Sequence, residues 1–560
     1  MEIGRIVAVY GRSIIRFAVP EERMELVSKP GTYVKTESGK GSWTYAMVVS
    51  FNLLDELYRR SRIVEDLEGY LELRPARNEL TASIVGYSDG TNVTRGVSAL
   101  PRPGQKVYLA QEDELTRILG SGEIEIGRLS SNMNVSFTLS LNNLCSRHFA
   151  VLAMTGAGKS NTVAVILASI LEKYPYSRVI MIDTHSEYVP LANKYPDVRV
   201  LSPAGKISRL LNARYGLSPK QLEIPLWTLS YEEITSILRL DPSRATKQVM
   251  YLRNALQEAR KKRYMRASTD DPIYFEPEEL KEALIKQGLR SRDRGSLDDL
   301  MLKYDSLLEN TDLRYITSPV MSSKIYESYE GEEEPKRSIK TFLEIYGQIL
   351  EPGLTIVALG GLPSEAQAST TATILRAIWR LISASVLAGS PIPTLLIVEE
   401  AHNYAPQGRW SPARGILERI AKEGRKFGIG LGVISQRPRE LSQTLLAQCG
   451  TLIALRTVNP EDQRHILSSM EDIMREMVEG LSGLTTGEAL ISGQAAPLPA
   501  IVRVYNFQEK FNASLGGKDI EWIEGWSRPS KQVDLTPYLI GEIKEVEAEK
   551  ERESTIERFL

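Results

Sequence analysis

The stretch Ala153-Met154-Thr155-Gly156-Ala157-Gly158-Lys159-Ser160 constrains this chain more than any other. An apolar run, Phe149-Ala150-Val151-Leu152, stands before it. After it, Val163, Ile166, Leu167, Ile170 and Leu171 recur at helical spacing. A buried strand, a glycine-rich turn and a helix in that order belong to an α/β protein. Glycines let successive backbone N–H groups curl round an anion, and the helix N-terminus adds the positive end of its dipole. Thr155, Gly156, Ala157, Gly158, Lys159, Ser160 and Asn161 are therefore the candidate nucleotide-binding residues. Lys159 is placed to reach the β- and γ-phosphates, and the Ser160 hydroxyl to ligate Mg2+. Ala153 stands where the consensus loop has its first glycine, at the strand exit, where a methyl group is bearable. A NAD-binding turn is excluded, because Gly156-Ala157-Gly158 leads to Lys-Ser and not to a further glycine.

Two later apolar runs end in acids: Arg178-Val179-Ile180-Met181-Ile182-Asp183, and Thr394-Leu395-Leu396-Ile397-Val398-Glu399-Glu400. Continuous apolar runs mark parallel strands covered on both faces. Asp183, Glu399 and Glu400 then fall at the carboxyl edge of the sheet, where α/β proteins bind ligands. Glu399 is the candidate to hold Mg2+ through water, and Glu400 to orient and deprotonate an attacking water. His185, just after Asp183, reads as a hydrogen-bonding loop residue rather than a metal ligand. A helix carrying Ile416, Leu417 and Ile420 on one face ends in Gly424-Arg425-Lys426-Phe427-Gly428. Cations suit a helix C-terminus and Gly428 suits its cap. The alternative is that Arg425 projects at a neighbouring subunit's γ-phosphate as an arginine finger. The next strand, Ile429 to Ser435, delivers Gln436, suitably placed to sense the γ-phosphate or water, and Thr451 to Arg456 closes the sheet.

The remainder sorts into domains. With 560 residues the chain has room for two to four of them. Residues 1–125 show short strands punctuated by Gly, Pro and charged turns, which predicts a small β-barrel. Residues 126–205 and 350–505 carry the α/β pattern. Residues 206–349 turn helical, with Arg260-Lys261-Lys262-Arg263 and Glu330-Gly331-Glu332-Glu333-Glu334 as runs of opposite sign. Such runs usually mark a solvated face or a linker, and the acidic one reads as the flexible exit of a helical insertion. Residues 506–560 form a tail with Trp522, Trp526 and Pro529, and a charged helix is predicted from about Gly541 to Phe559. Cys145 and Cys449 are the only cysteines, so no disulfide framework exists. No apolar run approaches the ~18 residues of a membrane span, and an intracellular, cytoplasmic location without membrane contact is expected. The net charge of −2 gives no global basic signal, so any nucleic-acid contact must be local. The loop Ala405–Arg414, with Arg409 and Arg414, is a candidate for it, and equally an ordinary surface loop.

Taken together, Arg147 through Ser160, Glu399-Glu400-Ala401-His402-Asn403-Tyr404-Ala405-Pro406, Gly424 through Gly428 and Ser435-Gln436-Arg437-Pro438 resemble the HerA family. These are archaeal hexameric DNA translocases related to the FtsK pumps, and order and spacing match over roughly residues 1 to 505. Relatives usually have Gly at 153 and Ser at 157. The resemblance implies a RecA-like P-loop NTPase core with an N-terminal HAS-type barrel, shared with rotary ATP synthases, and a helical insertion. It implies ATP and Mg2+, Arg425 as the trans finger, Arg147 as a second nucleotide-site arginine, and Asp183 near the metal or water. It further implies a homo-hexamer passing double-stranded DNA through a central pore, with the nuclease NurA as partner in resecting DNA ends for double-strand break repair. A ring motor for protein or conjugative substrates would share every catalytic residue. A low-turnover nucleotide-binding assembly subunit is disfavoured by the Glu399-Glu400 pair and Arg425.

Overall fold

The N-terminal strands alternate inward and outward side chains, and the sheet they form closes on itself. These strands are β1 (Glu2–Tyr10), β2 (Ile14–Ala18), β3 (Tyr33–Gly39), β4 (Ser42–Asp55), β5 (Ala76–Ser88), β6 (Val93–Arg95) and β7 (Lys106–Leu109). All pair antiparallel, in the order β2-β1-β7-β3-β4-β5-β6, and a β2–β5 pairing closes the ring. Phe17, Val34, Val48, Leu80, Ile84 and Val107 point inward and fill the barrel. Closure removes the exposed edges of the ring strands. The computed structural model describes residues 1–517 apart from 12, 40, 56–75, 90–92, 98, 204, 242–243, 291–293 and 470–474, together with 523 and 527. Trp522, Trp526, Pro529 and the helix expected over 541–559 lie outside the described residues.

Beyond the barrel come β8 (Ile124–Leu129), β9 (Asn132–Leu139), β10 (Phe149–Leu152), β11 (Arg178–Asp183), β12 (Val198–Ser202) and β13 (Lys220–Gln221). They are followed by β14 (Gly353–Ala358), β15 (Thr394–Val398), β16 (Ile429–Ser435), β17 (Thr451–Leu455), β18 (Glu488–Gly493) and β19 (Ala500–Val504). The chain divides into two compact units, Met1–Tyr174 with Glu400–His402 and Gly430–Asn512, and Pro175–Glu399 with Asn403–Ile429 and Ala513–Leu560.

In the first unit the strand order is β16-β10-β17-β18-β19-β8-β9. β10 lies parallel to both β16 and β17, and β18, β19, β8 and β9 extend the sheet antiparallel. Every residue of β10 is buried, as its unbroken apolar run requires. Gly432 sits opposite Phe149, and a Cβ there would come within 2.4 Å of the Phe149 ring. The glycine is what lets the ring lie against the neighbouring backbone. The barrel is tied to this sheet by Tyr33, whose hydroxyl donates to the Pro499 carbonyl, and by Arg95 Nε to Pro497 O at 3.2 Å.

In the second unit β13-β12-β14-β11-β15 run parallel, covered by the long helix Ser364–Leu387 and by the helix Pro412–Phe427. Residues 206–349 are mostly helical, including Tyr231–Ile237, Thr246–Arg263, Pro277–Arg290, Val320–Ser328 and Lys336–Gly347. In the basic run Lys261, Lys262 and Arg263 are exposed as expected, but its first residue is not. Arg260 is completely buried, and its Nη2 donates to the carbonyls of Trp227 (3.0 Å) and Leu229 (2.6 Å). The acidic run is no loose exit. It turns the chain between two helices, with Glu334 accepting from Tyr326 Oη at 2.7 Å and Glu332 paired with Lys340. Glu223, buried on the connection after β13, accepts from the backbone N–H groups of Met321 (2.9 Å) and Ser322 (2.7 Å) and so caps the helix Val320–Ser328 from a distance. Glu223→Ala leaves those two donors without their acceptor and should lower stability by about 3 kcal/mol in urea unfolding. A loss below about 1 kcal/mol would mean that the cap does not hold the helix.

Candidate nucleotide site

In the first unit the chain leaves β10 and is pinned before it turns. Ala153 N–H donates to Ser435 O (3.3 Å) and Met154 N–H to Arg456 O (3.1 Å), so the loop hangs from the ends of β16 and β17. Ala157 N–H then closes back on Met154 O at 3.2 Å, and Gly156 (φ +78°) and Gly158 (φ +103°) take the left-handed conformations the turn requires. Ala153 and Ala157 are buried at negative φ, so neither departure from the usual loop strains the backbone. The helix Lys159–Lys173 starts directly after Gly158 with no side chain capping its first N–H groups. An uncapped helix N-terminus under a curled backbone is an anion site.

Lys159, 6% exposed, forms an ion pair with Glu400 Oε1. Gln436 bridges the same carboxylate to the loop: its Nε2 donates to Glu400 Oε1 at 2.7 Å while its Oε1 accepts from Thr155 Oγ1 at 2.7 Å. The other oxygen, Oε2, faces His402 Nδ1 at 3.3 Å, and that nitrogen also lies 3.0 Å from Ser435 Oγ. With its proton on Nδ1 the neutral ring donates to Ser435 Oγ beside the Glu400 carboxylate; with the proton on Nε2 it accepts from the Ser435 hydroxyl. Burial is the leading cause that holds the His402 pKa below its ordinary value, against the pull of Glu400. Glu400 itself adopts φ +47°, which a non-glycine residue reaches only when surroundings over-determine it. His402 lies within the motif Glu399–Pro406, whose sequence alone assigns it no role. Its place two residues after the acid was the available signal.

In the second unit Asp183 ends β11, fully buried, and accepts from the backbone N–H groups of Glu187 (3.0 Å) and Tyr188 (2.9 Å). Burial, the largest cause, pushes its pKa up to about 6 beside the Glu399 carboxyl group. Glu399, also fully buried, accepts from His185 N–H at 3.4 Å. The side chain of His185 is exposed on its loop. Hydroxyl and carboxylate oxygens, as on Ser160 and Glu399, are the hard donors Mg2+ prefers, and Mg2+ ordinarily needs only one or two of them besides phosphate and water.

The other predicted residues go elsewhere. Asn161 turns away from the loop, its Nδ2 donating to Tyr505 O (2.8 Å) and its Oδ1 accepting from Phe507 N–H (2.7 Å). Arg147 follows the helix Leu141–Ser146, its carbonyl accepting from Gly450 N–H at 2.7 Å; its side chain pairs with no carboxylate among the described residues. Arg425 stands exposed on the last turn of Pro412–Phe427, with Gly428 (φ +76°) as the cap, and likewise meets no carboxylate among the described residues. Arg414 is used internally, donating to Glu418 (2.9 Å) and to the carbonyls of Pro406 and Arg409 (both 3.2 Å). Its bracing leaves Arg409 and Trp410 exposed at the tip of that loop.

A phosphate loop at the end of a buried parallel strand, with its lysine paired to an acid and a polar residue from the next strand, defines a P-loop NTPase. The family described as "Helicase HerA, central domain" matches residues 124–378. The DNA double-strand break repair helicase HerA of Pyrococcus furiosus is 33% identical over 488 residues, covering 84% of this chain and 86% of the relative. The Sulfolobus acidocaldarius protein of the same name is 29% identical over 77% of this chain and 78% of its own length. The chain belongs to the HerA helicase family. Among solved structures, VirB4 of Thermoanaerobacter pseudethanolicus aligns over 69% of this chain and 96% of its own, with TM-score 0.48 and 16% identity.

The Glu400→Gln variant removes the counter-charge of a buried lysine while keeping the shape of the site. Without nucleotide its stability should fall by about 3 to 5 kcal/mol in urea unfolding. An unchanged midpoint would show that the pair contributes nothing net.

Proposed function

We propose that this protein is an ATP-driven ring motor, a homo-hexamer that translocates double-stranded DNA through its pore in the cytoplasm. The observation that carries the reading is Glu400, held in place by Lys159 and by the Gln436 bridge to Thr155, which is the arrangement a water-activating base beside a γ-phosphate needs. In this reading residues 1–125 are a HAS-type barrel, 126–205 and 350–505 the RecA-like motor, 206–349 its insertion, and 506–560 a tail packing on the core or on a neighbour. The loop residues Thr155–Ser160 wrap the phosphates, with Lys159 on the β- and γ-oxygens. Arriving phosphate competes for Lys159 and frees Glu400 to take a proton from water, while Gln436 senses the change at Thr155. Mg2+, when bound with ATP, neutralises phosphate charge, and Ser160 and Glu399 are the residues that would hold it, with Asp183 supporting Glu399. Arg425, exposed and without a carboxylate partner among the described residues, reaches the γ-phosphate of the next protomer, and Arg147 adds a second cation. Support for DNA as the substrate comes from the relatives named as DNA double-strand break repair helicases. The reading includes partnership with a NurA-type nuclease in end resection, as the family resemblance of the motifs implies.

The test is steady-state ATPase activity with and without linear duplex DNA, for the wild type beside Lys159→Ala and Arg425→Ala. DNA should stimulate the wild type several-fold, and each variant should lose about 1000-fold, as removal of a phosphate-loop lysine or an arginine finger does. Robust hydrolysis indifferent to DNA would point to a protein or conjugative substrate. Hydrolysis unaffected by Arg425→Ala would remove the shared site between protomers.

A further inference from the structure

The second unit holds a cavity of about 380 Å³ among the helices Tyr231–Ile237, Ser364–Leu387 and Pro412–Phe427. Arg376, Arg380, Arg419 and Trp379 line it, together with Glu232 and Asp270. The three guanidinium groups differ in how their charge is answered. Arg376 is satisfied, with Nη1 on Glu233 Oε2 at 2.7 Å, a further bond to Ser230 Oγ, and Nη2 3.7 Å from Glu232. Arg419 lies 4.6 Å above the Trp379 ring and reaches Glu423 at 3.4 Å. Arg380 has neither arrangement. Its Nη2 donates to the Asp270 carbonyl at 2.5 Å, and no carboxylate among the described residues lies within ion-pair distance.

The completely buried Arg260, outside the cavity lining, likewise has no carboxylate within ion-pair distance among the described residues. Its Nη2 is bonded to two carbonyls, but its Nε and Nη1 have no partner among the described residues. Burial, the largest cause, holds both Arg260 and Arg380 below the ordinary arginine pKa, with the repulsion of Arg376 added at Arg380 and of Arg380 at Arg260, against the pull of Asp270, Asp271 and Glu233. An arginine still keeps its proton there, so the positive charge persists. The Arg380 guanidinium, a planar fork on the wall of a cavity far larger than the ~30 Å³ share of one water, is suited to an oxyanion.

We propose that this cavity is a phosphate-binding site in which Arg380 is the principal ligand and Arg419 closes the rim. The shared chemistry is a tetrahedral phosphate group, which free inorganic phosphate and a nucleic-acid backbone both offer. The inference does not depend on the ATPase reading.

It is tested on the full chain with its phosphate loop saturated by a non-hydrolysable ATP analogue and Mg2+, so that the loop is not the site being titrated. Inorganic phosphate is then titrated calorimetrically. The wild type should bind at millimolar concentrations or better, and Arg380→Gln and Arg419→Gln should each weaken binding about tenfold or more, with Arg380→Lys intermediate. If Arg380→Gln does not fold, Arg419→Gln at the rim carries the comparison. Short duplex DNA that displaces phosphate from the wild type identifies the backbone as the source, and failure to displace it identifies the free ion. No phosphate uptake by the wild type, or unchanged affinity in the folded variants, overturns the proposal.

Discussion

The buried pair of Lys159 and Glu400 is the interaction on which the site depends. Two charges taken out of water repay their desolvation only when the remaining hydrogen-bonding capacity is also met. Here Gln436 meets both carboxylate oxygens, one through its side chain and the other, beside His402, through its backbone N–H, and Thr155 in turn satisfies Gln436. The same network explains why Glu400 can hold a left-handed backbone that costs a non-glycine residue on the order of 1 kcal/mol or more. Lys159 is placed by the turn after β10, and that turn is hung from Ser435 and Arg456 at the ends of β16 and β17. The parallel ladder through β10 thus sets the position of the lysine, and the lysine holds the acid.

The parts of this arrangement that were legible in the sequence share one property: they are local. Phe149–Leu152 and Thr394–Val398 read as covered parallel strands because covered strands need unbroken apolar runs, and both are buried at every position. Gly156 and Gly158 announced a turn because they supply the positive φ it requires. The barrel was legible as short alternating strands, whereas its closure between β2 and β5 is a pairing across distant sequence that no local pattern encodes. The same holds for β8, which pairs with β19 through Arg128 and Arg503.

What was not legible depends on partners far along the chain. Arg260 opens a basic run that local reading assigns to solvent, yet it is buried against carbonyls of Trp227 and Leu229. Asn161 follows the phosphate loop so closely that sequence groups it with the nucleotide ligands, yet its side chain secures residues 505–507. His402 gains its meaning only from Ser435, which fixes the ring beside the Glu400 carboxylate. In each case the residue type was visible and the geometry that decides its role was not.

Arginine usage draws these points together. A net charge of −2 conceals a sorting of guanidinium groups by function. Arg95 and Arg414 brace loops through backbone carbonyls, and Arg376 neutralises a buried glutamate. Their forked donors are consumed within the chain, so they can offer nothing to a partner. Arg409 and Arg425 are different: both stand exposed, one on a loop made firm by Arg414 and the other at a capped helix end. A cation held on a rigid support loses less conformational entropy when it meets an anion than one on a loose segment does. Arg414 therefore matters to any contact made by Arg409 without touching the partner itself. The internal arginines supply the stiffness, and the exposed ones present the charge.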